Sequence, residues 1–184
     1  LREMDAAGVD RVVLVPPSWE GDRNDLALEA ARLHPDRFAV MGRLSIERPE
    51  SRELVPAWRD QPGMLGVRLN FFRDPYRAWL FDGTADWFWA AAERHAIPVT
   101  VFAPGSVPKI AEIAERHPGL RLVMDHLLLP LKVRDEAIGP ALAPVLTLAR
   151  CANVAVKASA LPRYVNEPYP FPSLHPHIRR VVDA

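Results

Sequence analysis

Residues 120–127 read Leu-Arg-Leu-Val-Met-Asp-His-Leu, a short apolar run that closes with an aspartate and a histidine. The run is too short for a helix and follows Pro118 and Gly119, a combination that predicts a buried strand. Comparable apolar runs recur along the chain, at residues 12–15, 38–44, 65–71, 99–102 and 154–156. The sequence therefore predicts six short strands.

The segments between these runs have the periodicity of helices, most clearly at residues 22–33, 84–94, 106–116 and 135–150. Alternation of strand and helix at intervals of roughly 30 residues is typical of βα units and requires a parallel sheet covered by helices. No glycine-rich phosphate-binding motif follows a strand, so a doubly wound nucleotide-binding sheet is not supported. We predict an α/β fold, a (β/α)8 TIM barrel truncated to about strands 2–7, with residues 1–184 forming one domain. Because both ends of the chain fall inside helix-like segments, we expect this domain to be incomplete at both ends.

Composition restricts the class of protein. The chain has 49% hydrophobic residues and equal numbers of basic and acidic side chains, 23 of each, without a basic stripe or a long apolar run. We therefore expect no nucleic-acid partner and no membrane partner. The single cysteine, Cys151, excludes an intrachain disulfide and fits a cytoplasmic protein.

In a barrel of this kind the chemistry lies at the carboxyl ends of the strands. His126 closes the strand at 120–127, where a neutral imidazole is a common ligand for a divalent metal. The alternative is a buried histidine satisfied by a hydrogen bond, and for the residue taken alone this alternative is favoured.

Two other predicted strands carry polar residues on one face. In the strand at 65–71, Arg68 and Asn70 alternate with apolar residues, and a guanidinium there either binds a substrate carboxylate or forms a structural ion pair. In the segment 154–160, Lys157 and Ser159 share a face; Lys157 holds either the substrate or, as is favoured, a neighbouring carboxylate. Thr100 is a weaker candidate, because threonine is common in strands.

The remaining histidines are predicted to lie away from the chemistry. His34, His95 and His117 end helices, and His95 precedes a strand, which places it at the opposite end of the barrel. His175 and His177 resemble a metal-binding H-x-H pair, but they open a helix after a proline-rich loop, and we expect them at the surface.

The sequence resembles the amidohydrolase-related family, in its 2-pyrone-4,6-dicarboxylate lactonase-like branch and especially its predicted metal-dependent TIM-barrel hydrolases. The matching stretches occur in family order at residues 8–15, 66–70, 117–127 and 153–161. Each match is weak alone, but four in order with barrel spacing form a fairly specific signal.

The resemblance implies an H-x-H pair on the first strand, a histidine on a middle strand and an aspartate on the last. His126 matches the middle-strand histidine, a metal ligand in metal-binding members, and Arg68 matches an arginine near the substrate carboxylate. Lys157 matches the start of a K-x-S-G segment, although Ala160 replaces its glycine, and Leu128 also stands where glycine is usual. We expect the H-x-H pair upstream of residue 1 and the aspartate, the general base, after residue 184.

The resemblance implies a hydrolase in which water attacks a small carboxylated lactone or a similar ring. His126 would be catalytic or a metal ligand, and Arg68, Asn70 and Lys157 would bind substrate. The implied cofactor is a divalent metal, zinc first, with a metal-independent reaction as the alternative. A metal-dependent non-oxidative decarboxylase and a non-catalytic fragment or binding domain remain alternatives. The expected partner is a small molecule, with homo-oligomer formation open.

Overall fold

A computed structural model describes all residues from 1 to 184. It contains six strands, each at the position of a predicted apolar run: β1 (Val12–Leu14), β2 (Phe38–Gly42), β3 (Met64–Asn70), β4 (Val99–Phe102), β5 (Leu122–Met124) and β6 (Val154–Val156). All five neighbouring pairs are parallel, and the strands lie side by side in chain order. This is the arrangement predicted for six consecutive strands of a (β/α)-barrel.

The helices cover one face of this sheet. Their bounds are α1 (Arg2–Ala6), α2 (Asp25–Leu33), α3 (Ser51–Leu54), α4 (Tyr76–Trp79), α5 (Asp86–Arg94), α6 (Val107–Arg116), α7 (Ile138–Leu146) and α8 (Leu174–Val182). The proline-rich stretch at residues 162–176 begins in the 3₁₀ turn Leu161–Tyr164 and ends inside α8. None of these helices is long and apolar enough to cross a lipid bilayer.

Strand alternation separates the core from the site. In β3, Val67 and Leu69 are buried in the hydrophobic core, whereas Arg68 and Asn70 point to the other face, as the sequence predicts. In β4, Val99 and Val101 are likewise fully buried. The core therefore lies between the sheet and its helices, and polar side chains are left for the concave face.

Gly66 is required by close approach of the neighbouring strand. A Cβ atom at this position would collide with the carbonyl oxygen of Pro98, directly before β4. The Gly66 carbonyl also accepts a hydrogen bond of 3.0 Å from the indole of Trp58. This packing brings β3 and β4 together at their start and sets the register that places Arg68 beside Thr100.

Candidate active site

Three strand ends bring their charged side chains together. Arg68 lies in β3, Asp125 directly follows β5, and Lys157 directly follows β6. One oxygen of the Asp125 carboxylate accepts a hydrogen bond from Arg68 Nε at 3.0 Å, and the other accepts one from Lys157 Nζ at 2.8 Å. Asp125 is only 3% exposed. A single buried carboxylate therefore joins two cations from strands that are not neighbours in the sheet.

The pairing to Asp125 leaves part of Arg68 free. Its Nε contacts the carboxylate, whereas neither terminal Nη nitrogen donates a hydrogen bond to the protein. The guanidinium reaches across β4 and lies 5.9 Å from the ring centroid of Phe102. The two alternatives left open by the sequence, an ion pair and a carboxylate-binding fork, are thus geometrically compatible in one side chain.

A cleft of about 690 Å³ opens at the carboxyl ends of β2 and β3. Arg68 and Asn70 line it, together with Arg43, whereas His126 and Lys157 lie outside the lining, toward β5 and β6. Asn70 is 8% exposed, and its Oδ1 atom is buried without a hydrogen-bond partner. Of the three predicted substrate-binding residues, Arg68 and Asn70 therefore line the cleft, whereas Lys157 lies outside it.

His126 lies immediately beyond β5, in edge contact with Phe102 at 5.3 Å between ring centroids. Its Nδ1 is 2.8 Å from the hydroxyl oxygen of Ser159. Burial lowers the pKa of His126 below its ordinary value; the charges of Lys157 and Arg68 lower it further, and only Asp125 opposes them strongly. The imidazole is therefore neutral near pH 7.

The hydrogen bond with Ser159 determines what His126 can do. If the hydroxyl donates to Nδ1, the other ring nitrogen, Nε2, carries the proton and can donate to a substrate oxygen. If Nδ1 donates to the hydroxyl, Nε2 carries a free lone pair, the form that binds a metal. The two predicted roles of His126 therefore correspond to its two tautomers.

His126 begins a left-handed turn. The φ angles of His126, Leu127 and Leu128 are 54°, 54° and 52°, and Ala160, near the end of β6, has φ 56°. Left-handed backbone costs about 1 to 2 kcal/mol for each residue with a side chain. The nearly complete burial of Leu127 and Leu128 offsets this cost. Leu128 and Ala160, the two positions at which the resemblance implies glycine, thus have the positive φ that glycine adopts most easily.

The donors near His126 do not by themselves make a metal site. No group of three or more His, Cys, Asp or Glu side chains that could hold a metal ion occurs in the chain. His126 offers one imidazole nitrogen, and both oxygens of Asp125 are already engaged by cations. Zinc sites need three or four protein ligands, and His126 supplies at most one of them.

The other histidines lie as predicted, with one exception. His34, His95 and His117 follow the last residues of α2, α5 and α6. His175 is exposed in α8, but His177 is half-buried, with Nδ1 lacking a hydrogen-bond partner. Neither His175 nor His177 contacts Arg68, Asp125 or Lys157.

Sequence reasoning missed Asp125, treating it only as the neighbour of His126. A signal was present, since an acidic residue ends one apolar strand while Arg68 and Lys157 lie at equivalent places on two others. Thr100, the weaker candidate, is buried between Arg68 and Val123 in the strand register.

Comparison with known proteins finds one matching family and several similar structures. The family model described as amidohydrolase matches residues 1–184. No curated protein matches the chain. Among solved structures, a probable 2-pyrone-4,6-dicarboxylic acid hydrolase from Acinetobacter baumannii with citric acid bound superposes with a TM-score of 0.75 at 21% identity, covering 99% of this chain and 66% of its own.

Two further structures share the fold. An amidohydrolase from Burkholderia multivorans with bound zinc has a TM-score of 0.76 at 22% identity, covering 98% of this chain and 64% of its own. A 2,6-dihydroxybenzoate decarboxylase from Rhizobium has a TM-score of 0.60 at 16% identity, covering 86% and 68%. The chain thus spans just under two thirds of the first two proteins.

Proposed function

This chain belongs to the amidohydrolase family, and from that membership we propose that the protein is a hydrolase acting on a small carboxylated lactone or a similar ring. Water would attack the carbonyl carbon. The observation that carries the proposal is that Arg68 lines the cleft and leaves both Nη nitrogens without a hydrogen bond to the protein while Asp125 holds Nε. The citric acid bound by the A. baumannii protein supports a carboxylated substrate.

In this reaction the oxygen of water bonds to the carbonyl carbon, and the bond from that carbon to the ring oxygen breaks. The carbonyl carbon becomes that of a carboxylic acid, and the former ring oxygen takes a proton and becomes a hydroxyl group. Arg68 would bind, in fork geometry, the carboxylate that the substrate carries beside its lactone group. Lys157 would add positive charge on the β6 side. His126, with its proton on Nε2, would donate to the carbonyl oxygen as negative charge develops there.

His126 in its other tautomer would be one ligand of a divalent metal, and zinc is the metal bound in the B. multivorans protein. When bound, such a metal would polarise the carbonyl group as a Lewis acid. Zinc dependence and a metal-independent reaction are both compatible with the proposed hydrolysis, and comparing activity before and after chelation separates them.

Arg68, His126 and Lys157 could also serve a non-oxidative decarboxylation. The fold shared with the Rhizobium decarboxylase supports this second proposal. In that reaction the bond from the ring carbon to the carboxylate breaks, carbon dioxide leaves, and a proton takes its place on the ring carbon while the ring stays intact. A non-catalytic binding role, in which the cleft holds a carboxylated molecule without changing it, is the third proposal. Product analysis separates the three, because each gives a different product or none.

The decisive experiment is a kinetic comparison of unsubstituted protein and Arg68→Gln on a carboxylated lactone and on the same lactone without the carboxylate. Ring opening is followed by ultraviolet absorbance and carbon dioxide by infrared spectroscopy. We expect ring opening, with kcat/KM for the carboxylated lactone reduced by about 10- to 100-fold in Arg68→Gln, since a charge-assisted hydrogen bond contributes roughly 1.5 to 3 kcal/mol. The reaction of the uncharged lactone should change little. Equal losses on both lactones would show that Arg68 has no role in binding the carboxylate.

A further inference from the structure

The cleft contains a second guanidinium that sequence reasoning did not consider. Gly42, the last residue of β2, pairs with Val67 in parallel register, so the next residues along the two strands, Arg43 and Arg68, lie side by side. The Nη1 atom of Arg43 is buried and has no hydrogen-bond partner. A buried donor without an acceptor is costly, so an oxygen atom of a ligand that reached Nη1 would stabilise the side chain.

The backbone of Arg43 is held firmly in position. The side-chain amide of Asn24 accepts a hydrogen bond from the Arg43 backbone N–H at 2.7 Å and donates one to its carbonyl oxygen at 3.0 Å. Arg43 Nε donates to the carbonyl oxygen of Gly21 at 3.0 Å. Asn24 thus replaces a strand partner just beyond β2, and the guanidinium is positioned before any ligand arrives.

The charges near Arg43 favour an anion. Burial lowers the pKa of Arg43 below its ordinary value, and the positive charge of neighbouring Arg68 lowers it further, against the opposing effect of Asp22. The carboxylate that pairs with Arg68 is Asp125, which is shared with Lys157. Two adjacent guanidinium groups with unused N–H donors are the arrangement that binds carboxylates and phosphates.

We propose that Arg43 and Arg68 bind one carboxylate between them, so that Arg43 is a second substrate-binding arginine of the cleft. This inference rests on the proposed function only for the identity of the molecule that carries the carboxylate. Asn70 lines the same cleft, and its Oδ1 atom is buried without a hydrogen-bond partner.

The test is calorimetric titration of the 184-residue chain with benzoate, a probe that carries a single carboxylate, and with benzyl alcohol as its uncharged counterpart. Arg43→Gln and Arg68→Gln should each weaken benzoate binding about tenfold or more, and the double variant should lose less than the product of the two. Arg48→Gln is the matched control, because Arg48 stands at the rim of the cleft with a 67% exposed side chain. Its affinity should stay within about twofold.

A result in which Arg43→Gln binds benzoate as the unsubstituted chain does would overturn the proposal, and so would absence of saturable benzoate binding to the unsubstituted chain. Arg43→Lys keeps the charge without the fork and should give an intermediate loss, which provides the measurement if the glutamine variant does not fold. Benzoate is not a lactone, so the two proposals can fail separately. Weakened benzoate binding in both arginine variants, together with no ring opening in the lactone assay, would reject the proposed function and keep this inference.

Discussion

Replacement of Asp125 by asparagine should destabilise the protein by about 3 kcal/mol, because it leaves the buried partner Arg68 without a counter-charge. Asp125 is 3% exposed, and the side chain of Arg68 is 14% exposed, so water replaces little of the lost interaction. Lys157 is different. Its side chain is 44% exposed and can be hydrated, so its share should be below about 1 kcal/mol.

Urea unfolding followed by tryptophan fluorescence measures this change, since Trp58 and Trp89 are buried. A loss of about 3 kcal/mol corresponds to a fall in Tm of roughly 6 to 12 °C for a chain of this size. Double-mutant cycles with Arg68→Gln and Lys157→Gln divide the effect between the two partners. The coupling of Asp125 to Arg68 should be about 2 to 3 kcal/mol and should exceed its coupling to Lys157.

Glu112 provides a matched control. Its carboxylate also bridges a lysine and an arginine, Lys109 and Arg116, but on the exposed surface of α6. Glu112→Gln should cost less than about 1 kcal/mol. The reasoning is refuted if Asp125→Asn costs no more than Glu112→Gln, or if Lys157 proves to be the stronger partner of Asp125.

Three further outcomes are expected. Ala160→Gly should stabilise the protein by about 1 kcal/mol in urea unfolding, because Ala160 is exposed and its φ of 56° suits glycine; a destabilised variant would contradict the left-handed backbone. The His126 imidazole should titrate below the ordinary pKa of about 6.5 in NMR spectra. Because its pKa is lowered in the folded protein, its contribution to stability is present above about pH 6.5 and lost as the pH falls through the folded pKa. The hydrogen bond with His117 lowers the pKa of Glu93. The contribution of Glu93 to stability is therefore present above the ordinary carboxyl pKa and lost as pH falls below about 4. Glu93→Gln should flatten the acid limb of a stability–pH profile, and an unchanged limb would exclude this role.

The strands could be predicted because each is an apolar run bounded by turn residues. Prediction failed at the end of β5, where the strand was extended to residue 127 but stops at Met124. The left-handed turn at 126–128 causes the difference, and the sequence there, His-Leu-Leu, contains no glycine or asparagine to indicate it. The helices α3 and α4 were not predicted, because a single turn has too few residues to show periodicity.

The sequence located polar side chains at the strand ends but not the contacts between them, and the roles of these side chains in a reaction remain predictions. Arg68, Asn70, His126 and Lys157 follow from polar residues at strand ends. Their link through Asp125 does not, because it joins β3 to β5 across β4 and depends on how far the Arg68 side chain reaches. Arg43 was missed for a related reason: its importance comes from a buried atom without a partner, which only three-dimensional packing reveals.

The chain order of the strands has a consequence for cooperativity. Each strand pairs only with the strands before and after it in sequence, so no strand crossover ties one end of the sheet to the other. Within residues 1–184, β1 and β6 each pair with one strand and the four others with two, so opening of this chain should begin at β1 and β6. Lys157 follows β6, whereas Arg68 lies in the interior strand β3. Fraying of the outer strand would therefore detach Lys157 from Asp125 while the Arg68 ion pair stays intact.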